Sequence, residues 1–362
     1  MDQAIDQYFS SETKDKKQEQ AITCQKLLSA TAVSLTNFKA KHYPLLPNFD
    51  SKQFVCGNAS IIPYVNKHYI VVVRQTNWVN GRCIPFPGFQ YAKDVHPEHI
   101  LINQNIVLLL NERFEIVRDD GVLVDVTGRV LKSTGWYGFE DIRICEVAVD
   151  KFVFMCTIYD HEGGKISQMA RCLSVFNHDR KRWEVVIIQP LRRFGGETCK
   201  EKNWLMFKPH SQTYCKDDDR LIIYHWFPKF TILKLPLDGN HSVVSDSKSN
   251  IGSLHEGSCP PVFLPSLQCW MALVHVSWPG PATRYYHRAI LLRECNDTME
   301  IFHYGAYFCF QTEQVEYCCG MCLSADGSTI VFTYGVNDAS SFLTSMELKT
   351  FLDKVVFMLE KI

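Results

Sequence analysis

The chain has 362 residues, enough for one large or two ordinary domains, and 46% hydrophobic against 21% charged residues lets it bury a sizeable core. With 38 basic and 39 acidic residues the formal net charge is -1, which provides no bulk field toward nucleic acid or an anionic membrane surface. The opening Met1-Asp2-Gln3-Ala4-Ile5-Asp6-Gln7 lacks the basic and apolar regions of a signal peptide, and no stretch reaches the roughly 18 apolar residues of a membrane span. The 15 cysteines are odd in number and form no framework, which fits a reducing compartment, so a cytoplasmic location is expected.

In chain order, residues 1–47 read as an N-terminal arm. Its first half is polar, with Glu12, Lys14, Asp15, Lys16, Lys17 and Glu19. Ile22, Leu27, Leu28 and Val33 then recur at helical spacing, predicting one or two helices or a partly ordered arm that ends at Pro44 and Pro47. A helical arm of this kind is expected to pack on a neighbouring subunit, giving a homo-oligomer. Residues 48–362 read as one catalytic domain of short strands and turns.

Five segments there share one design, a turn former followed by bulky β-formers: 66–74, 150–157, 219–226, 268–278 and 326–335. They recur about every 50–85 residues, which leaves room for three or four strands per unit. That pattern predicts an all-β, five-bladed β-propeller, with a pair of β-sandwiches as the competing arrangement. Each segment is preceded by a polar one: 57–62, 138–143, 201–207, 255–262 and 316–323. In a propeller the first strand of each blade lines the central channel, so these polar residues are expected to converge on one funnel.

Taken in order, Gly57-Asn58-Ala59-Ser60, Phe139-Glu140-Asp141-Ile142-Arg143, Glu201-Lys202-Asn203-Trp204, Tyr224-His225-Trp226, Gly257-Ser258-Cys259-Pro260-Pro261, Tyr286-His287 and Tyr334-Gly335-Val336-Asn337-Asp338 resemble the motifs of five-bladed carbohydrate-active enzymes. These are glycoside hydrolase family 130, which includes β-mannoside phosphorylases, and the related glycosyltransferase family 108 of β-1,2-mannosyltransferases. The chain carries Ile142 where the family usually has proline, and Asn203 where an acid often follows the lysine.

The resemblance implies an inverting glycosyl-transferring enzyme, a mannosyltransferase using GDP-mannose or mannose 1-phosphate, or a β-mannoside phosphorylase. Asp141 is the expected catalytic residue, moving the proton to or from a sugar oxygen; read from spacing alone, Asp141 and Arg143 are equally a structural ion pair. Arg143, Lys202, Arg193 and His225 are the expected phosphate ligands, lysine as a point charge and arginine as a fork. Asn58, Ser60, Glu140, Trp204, Tyr286, His287 and Asp338 are the expected contacts to sugar, with Trp136 and Trp226 as further stacking platforms. The expected partners are a mannose-containing oligosaccharide with phosphate, a sugar 1-phosphate or a nucleotide-sugar, and neither nucleic acid nor a membrane. A hydrolase on the same scaffold needs a second carboxylate, for which Glu256 and Asp338 are the candidates; a non-catalytic carbohydrate-binding propeller is the remaining alternative.

No cofactor is expected. Cys319-Gly320-Met321-Cys322 has no second ligand pair at zinc spacing, and His161, His210 and His303 have no companions, so no metal is expected either.

Overall fold

The computed structural model describes residues 31–46, 54–79, 82–83, 101–128, 136–159, 167–191, 202–209, 220–235, 242–249, 251, 255–278, 284–295, 298–311 and 315–358. They form five sheets, each built on antiparallel strands, arranged as the blades of a propeller, and one small two-stranded pairing of Trp78–Val79 with Arg82–Cys83. Blade 1 runs outward through Val55–Pro63, Tyr69–Thr76, Leu101–Leu110 and Ile116–Val122. Blade 2 holds Glu140–Ala148, Lys151–Tyr159, Ser167–Asn177 and Arg182–Pro190. Blade 3 holds Leu205–Phe207, Arg220–His225, Lys229–Leu235 and Ser242–Lys248. Blade 4 holds His255–Leu264, Cys269–Trp278, Arg284–Cys295 and Thr298–Cys309. Blade 5 holds Glu316–Leu323, Thr329–Val336 and Ser340–Glu347.

The five β-rich segments predicted from sequence are the second strands of the five blades. Their near-continuous apolar character follows from position: every residue of Tyr69–Thr76 is buried, because blades pack on both of its faces. Outer strands lack that cover, and Ile116–Val122 is mostly exposed.

The core is divided among the blade interfaces. Ile70 and Val72 of blade 1 meet Phe152 and Phe154 of blade 2. Met155 of blade 2 packs with Met206 and Ile222 of blade 3, and Leu221 of blade 3 with Ala272 of blade 4. Leu273 of blade 4 packs with Phe332 of blade 5, and Val331 of blade 5 closes the ring against Ile61 and Val71 of blade 1. Large β-branched and aromatic side chains serve this layered packing well.

The N-terminal segment corrects the expected helical arm. Val33–Ser34 lies parallel to the outer strand of blade 4, and Lys41–Leu45 forms the outermost strand of blade 5, antiparallel to Ser340–Glu347. Blade 5 would otherwise end on the unpaired edge of Ser340–Glu347, and Lys41–Leu45 satisfies it from the other end of the chain. Leu35 is fully buried in the blade 4–5 core. Residues 1–30, with Ile22, Leu27 and Leu28, lie outside the described residues. The described α-helix is the short Leu348–Phe351, which buries Leu348 and Phe351 against the same core. No helix among the described residues is long and apolar enough to cross a membrane.

Candidate active site

The inner strands begin at one end of the propeller, and in four of the five blades the pairing with the second strand slips near that start. Blade 1 skips between Cys56 and Ala59, blade 2 between Glu140 and Arg143, blade 4 between Gly257 and Cys259, and blade 5 between Cys318 and Gly320. A bulge of this kind re-aims side chains out of the alternation of a regular strand. Asn58 and Asp141 lie within two of these bulges, and Asp141 takes a left-handed φ of 51°. Both line a cavity of about 580 Å³ at the bulged end of the propeller.

Asp141 is 9% exposed. Its Oδ1 accepts hydrogen bonds from Asn58 Nδ2 at 2.8 Å and from Arg74 Nη1 at 3.0 Å. Burial pushes the Asp141 pKa up, but Arg74, Arg143, Lys202 and the Asn58 hydrogen bond outweigh it, so the carboxyl is held below its ordinary value and stays ionised. Arg74 is itself oriented from behind: its Nε donates to Asn103 Oδ1 at 2.7 Å, and Asn103 Nδ2 donates to the Tyr137 carbonyl at 3.2 Å. The amide oxygen of Asn58, Oδ1, is buried without a hydrogen-bond partner among the described residues.

Two glycines make this approach possible. A Cβ on Gly138, whose φ is +83°, would stand 1.9 Å from the Asn103 carbonyl oxygen. A Cβ on Gly335 would stand 2.4 Å from Asn58 Oδ1.

Glu140 sits beside Asp141 and binds differently. Tyr159 Oη donates to Glu140 Oε2 at 2.6 Å, and Lys202 Nζ lies 3.2 Å from both Glu140 oxygens and 3.3 Å from Tyr159 Oη. The Lys202 side chain remains about a third exposed, so its ammonium faces the cavity as well as Glu140. Asp338 lies at the rim, in the left-handed turn after the second strand of blade 5. It is exposed as a residue, yet crowding of its carboxyl raises the pKa, with Asp141 and Glu140 adding to the rise against Arg74.

The structure thus brings Asn58, Glu140, Asp141, Lys202 and Asp338 together, and it moves other expected residues away from the cavity surface. Arg143 is fully buried, and its guanidinium is turned to protein acceptors. Ser60 is buried, and its Oγ accepts the Ile144 N–H at 2.9 Å, tying blade 1 to blade 2. Trp204 is 1% exposed and packs edge-on against Tyr224 at 4.8 Å, and Trp226 packs on Phe230. Tyr286 and His287 are fully buried in blade 4, His287 against Phe308 and Phe310. His225 is exposed on blade 3, stacked on Tyr224, and does not line the cavity. Ser60, Tyr286, His287, Arg143 and His225 lie on strands whose alternation sends them into a blade interface or away from the funnel, and Trp204 and Trp226, just outside theirs, pack into the blade cores. Arg193, Arg192, Glu201 and the Trp136 side chain lie outside the described residues.

Sequence reasoning missed Arg74, which sits inside an apolar strand; Tyr159 and Tyr317, at opposite ends of their strands; and Trp78, 39% exposed where it lines the cavity. His275 was missed too. It lines the cavity, its Nδ1 lies 3.1 Å from Ser258 Oγ, and its pKa falls to about 3 because burial disfavours the imidazolium and Arg143 opposes it further. The cysteines of 318–322 are buried thiols in the inner strand of blade 5, and no group of three or more His, Cys, Asp or Glu suited to a metal occurs among the described residues.

The lining therefore carries carboxylates at Glu140, Asp141, Glu256 and Asp338 and cations at Arg74 and Lys202, with hydroxyl and amide groups between them. Close polar groups with an aromatic at the rim suit a polyhydroxylated ligand. No family model matches the sequence, and no curated protein matches it. Solved structures do match in fold. The β-1,2-mannobiose phosphorylase from Listeria innocua aligns at a TM-score of 0.52 with 13% identity, over 87% of this chain and 99% of that one. A GDP-Man-dependent mannosyltransferase from Leishmania mexicana aligns at 0.51 with 11% identity, over 86% and 90%. An exo-β-1,3-galactanase from Clostridium thermocellum aligns at 0.50 with 8% identity, over 84% and 62%. The chain is a five-bladed β-propeller whose fold is similar to that of carbohydrate-active enzymes, among them a mannoside phosphorylase and a mannosyltransferase.

Proposed function

We propose that the protein is an inverting glycosyl-transferring enzyme acting on β-mannosides, with Asp141 taking the proton from the attacking sugar hydroxyl. The observation that carries this reading is the state of Asp141, a cavity carboxylate kept ionised by Arg74 and Asn58. An ionised carboxylate is a base. A phosphate or nucleoside diphosphate departs without needing a proton, so one such base is enough for transfer from mannose 1-phosphate or GDP-mannose. Run backwards with free phosphate, the same site is a phosphorylase in which Asp141 returns the proton.

Lys202 is the residue proposed to face the anion, as a point charge at the cavity surface. Asn58 and Asp338 are proposed to bind sugar hydroxyls, and Glu140 to hold Lys202 in place. The likeness in fold to a mannobiose phosphorylase and a mannosyltransferase supports mannose as the sugar.

Incubation with mannose 1-phosphate or GDP-mannose and a mannose acceptor is expected to release phosphate or GDP and to yield a β-linked product. Sugar binding without turnover of either donor would contradict the reading.

One observation favours a second reading. The raised pKa of Asp338 beside the lowered pKa of Asp141 is the pattern of an acid and a base in one cavity. An inverting hydrolase uses such a pair. Sugar release from a β-mannoside in buffer free of phosphate and donor would favour it.

A further inference from the structure

Arg143 lines no part of the cavity, yet four hydrogen bonds hold its guanidinium beside it. It is fully buried. Its Nε donates to the Ser258 carbonyl at 2.7 Å, its Nη1 to the Asp141 carbonyl at 3.0 Å, and its Nη2 to Asn203 Oδ1 at 2.8 Å and to Tyr317 Oη. Tyr317 Oη in turn donates to Asn203 Oδ1 at 2.7 Å, and Asn203 Nδ2 donates to Glu256. These acceptors come from blades 4, 2, 3 and 5, so one guanidinium joins four blades behind the cavity floor. A planar fork with five donors is the side chain able to do this.

The Asp141 carbonyl stands apart among these acceptors. The ladder pairs Glu140 with Thr157 and next Arg143 with Met155, passing over Asp141 and Ile142. A bulge leaves the extra residue outside the ladder, and a buried carbonyl without a partner is costly. Asp141 also holds a φ of 51°, a region that non-glycine residues occupy only when their surroundings enforce it.

We propose that Arg143 is the positioning residue for Asp141: it bonds the carbonyl of the bulged residue, holds the left-handed backbone there, and so aims the carboxyl at Arg74, Asn58 and the ligand. This rests on the reading of Asp141 as the proton carrier. It replaces the expected role of Arg143 as a phosphate ligand, since its donors face protein acceptors on every side.

The test is Arg143→Lys, assayed with mannose 1-phosphate or GDP-mannose and a mannose acceptor, together with the 13C titration of the Asp141 carboxyl. The charged and titratable groups around that carboxyl are Arg74 from blade 1, Glu140 and Arg143 on its own strand, Lys202 from blade 3, Glu256 and His275 from blade 4, and Asp338 from blade 5. A lysine keeps the charge but cannot bond four acceptors. The expected result is a kcat lower by about 30-fold or more, with KM for both substrates within about 2-fold, because misaimed groups lose rate rather than ground-state binding. The Asp141 carboxyl is expected to titrate higher, toward the ordinary aspartate value, as its bonds from Arg74 and Asn58 loosen. A rise of about 10-fold in KM for the phosphate-bearing substrate with kcat retained would make Arg143 an anion ligand and overturn the proposal; so would an unchanged kcat with an unchanged titration.

If Arg143→Lys does not fold, Tyr317→Phe removes one acceptor of the same guanidinium. It is expected to lower kcat and to raise the Asp141 titration in the same direction, and no change in either overturns the proposal. Should Asp141→Asn turn over like wild type, the proton-carrier reading fails, while the titration still shows whether Arg143 sets the carboxyl's position.

Discussion

Arg74 is the residue on which the proposed chemistry turns, and no motif announces it. It lies in Tyr69-Ile70-Val71-Val72-Val73-Arg74-Gln75-Thr76, a strand whose apolar run reads as core and whose single cation reads as an edge charge. Only the packing of blade 1 on blade 2 shows it facing Asp141. Asp141 itself was legible, because an acid pair with an arginine at the mouth of a buried strand is rare enough to notice. What spacing could not settle is which partner Arg143 takes; two residues away, it bonds the carbonyl of Asp141 rather than the carboxylate. Replacing Arg74 by methionine leaves a buried carboxylate unpaired, which typically costs about 3–5 kcal/mol. Because the Asp141 pKa is depressed in the folded state, its stabilising contribution is present above the ordinary aspartate value and is lost as pH falls through the folded value. Arg74→Met is therefore expected to lower Tm more at pH 7 than at pH 3, and to move the acid limb of kcat/KM upward. Equal Tm losses at both pH values would contradict the pairing.

At the scale of the elements, function is written into irregularities. Regular strands place side chains alternately into two blade interfaces, which explains why Ser60, Tyr286 and His287 are buried although their motifs looked polar and functional. Two of the residues that reach the funnel, Asn58 and Asp141, sit in bulges, and a bulge leaves no clear mark in a sequence. Second strands were readable because burial on both faces demands apolar, β-branched residues. The pairing of Lys41–Leu45 with the last blade was not readable, because a partner about 300 residues away shows no local signal. Gly138 is a place where an element constrains the site. Gly138→Ala must push against the Asn103 carbonyl, displacing the residue that orients Arg74. A loss of about 1–3 kcal/mol in stability and of 10-fold or more in kcat is expected. Unfolding and turnover both unchanged would show that the Asn103–Arg74 contact does not depend on this approach.

Across the whole molecule, His275 and His287 are buried and His42 is partly buried. Burial lowers the pKa of His42, His287 and His275, the last to about 3. A histidine whose folded pKa lies below its unfolded value of about 6.5 binds protons more readily when unfolded, so stability is full above that value and declines as pH falls toward the folded one. Tm is accordingly expected to drop between pH 7.5 and pH 5. His287→Phe, at a ring whose two nitrogens are buried without partners among the described residues, should narrow that drop and leave turnover intact. An unchanged pH slope, or lost turnover, would return His287 to the site.

The architecture of five blades was legible because a propeller repeats one packing problem five times, so its sequence repeats one solution. The site was legible where a motif fell at the funnel end of a blade, as at Asn58, Asp141, Lys202 and Asp338, and not where a lone cation such as Arg74 sat inside an apolar strand. The central claim is that Asp141 moves the proton in sugar transfer, and the most direct measurement of it is the turnover of Asp141→Asn against wild type with mannose 1-phosphate or GDP-mannose and a mannose acceptor. The expected result is a loss of at least about 100-fold in kcat with the fold retained; turnover within a few-fold of wild type would contradict it.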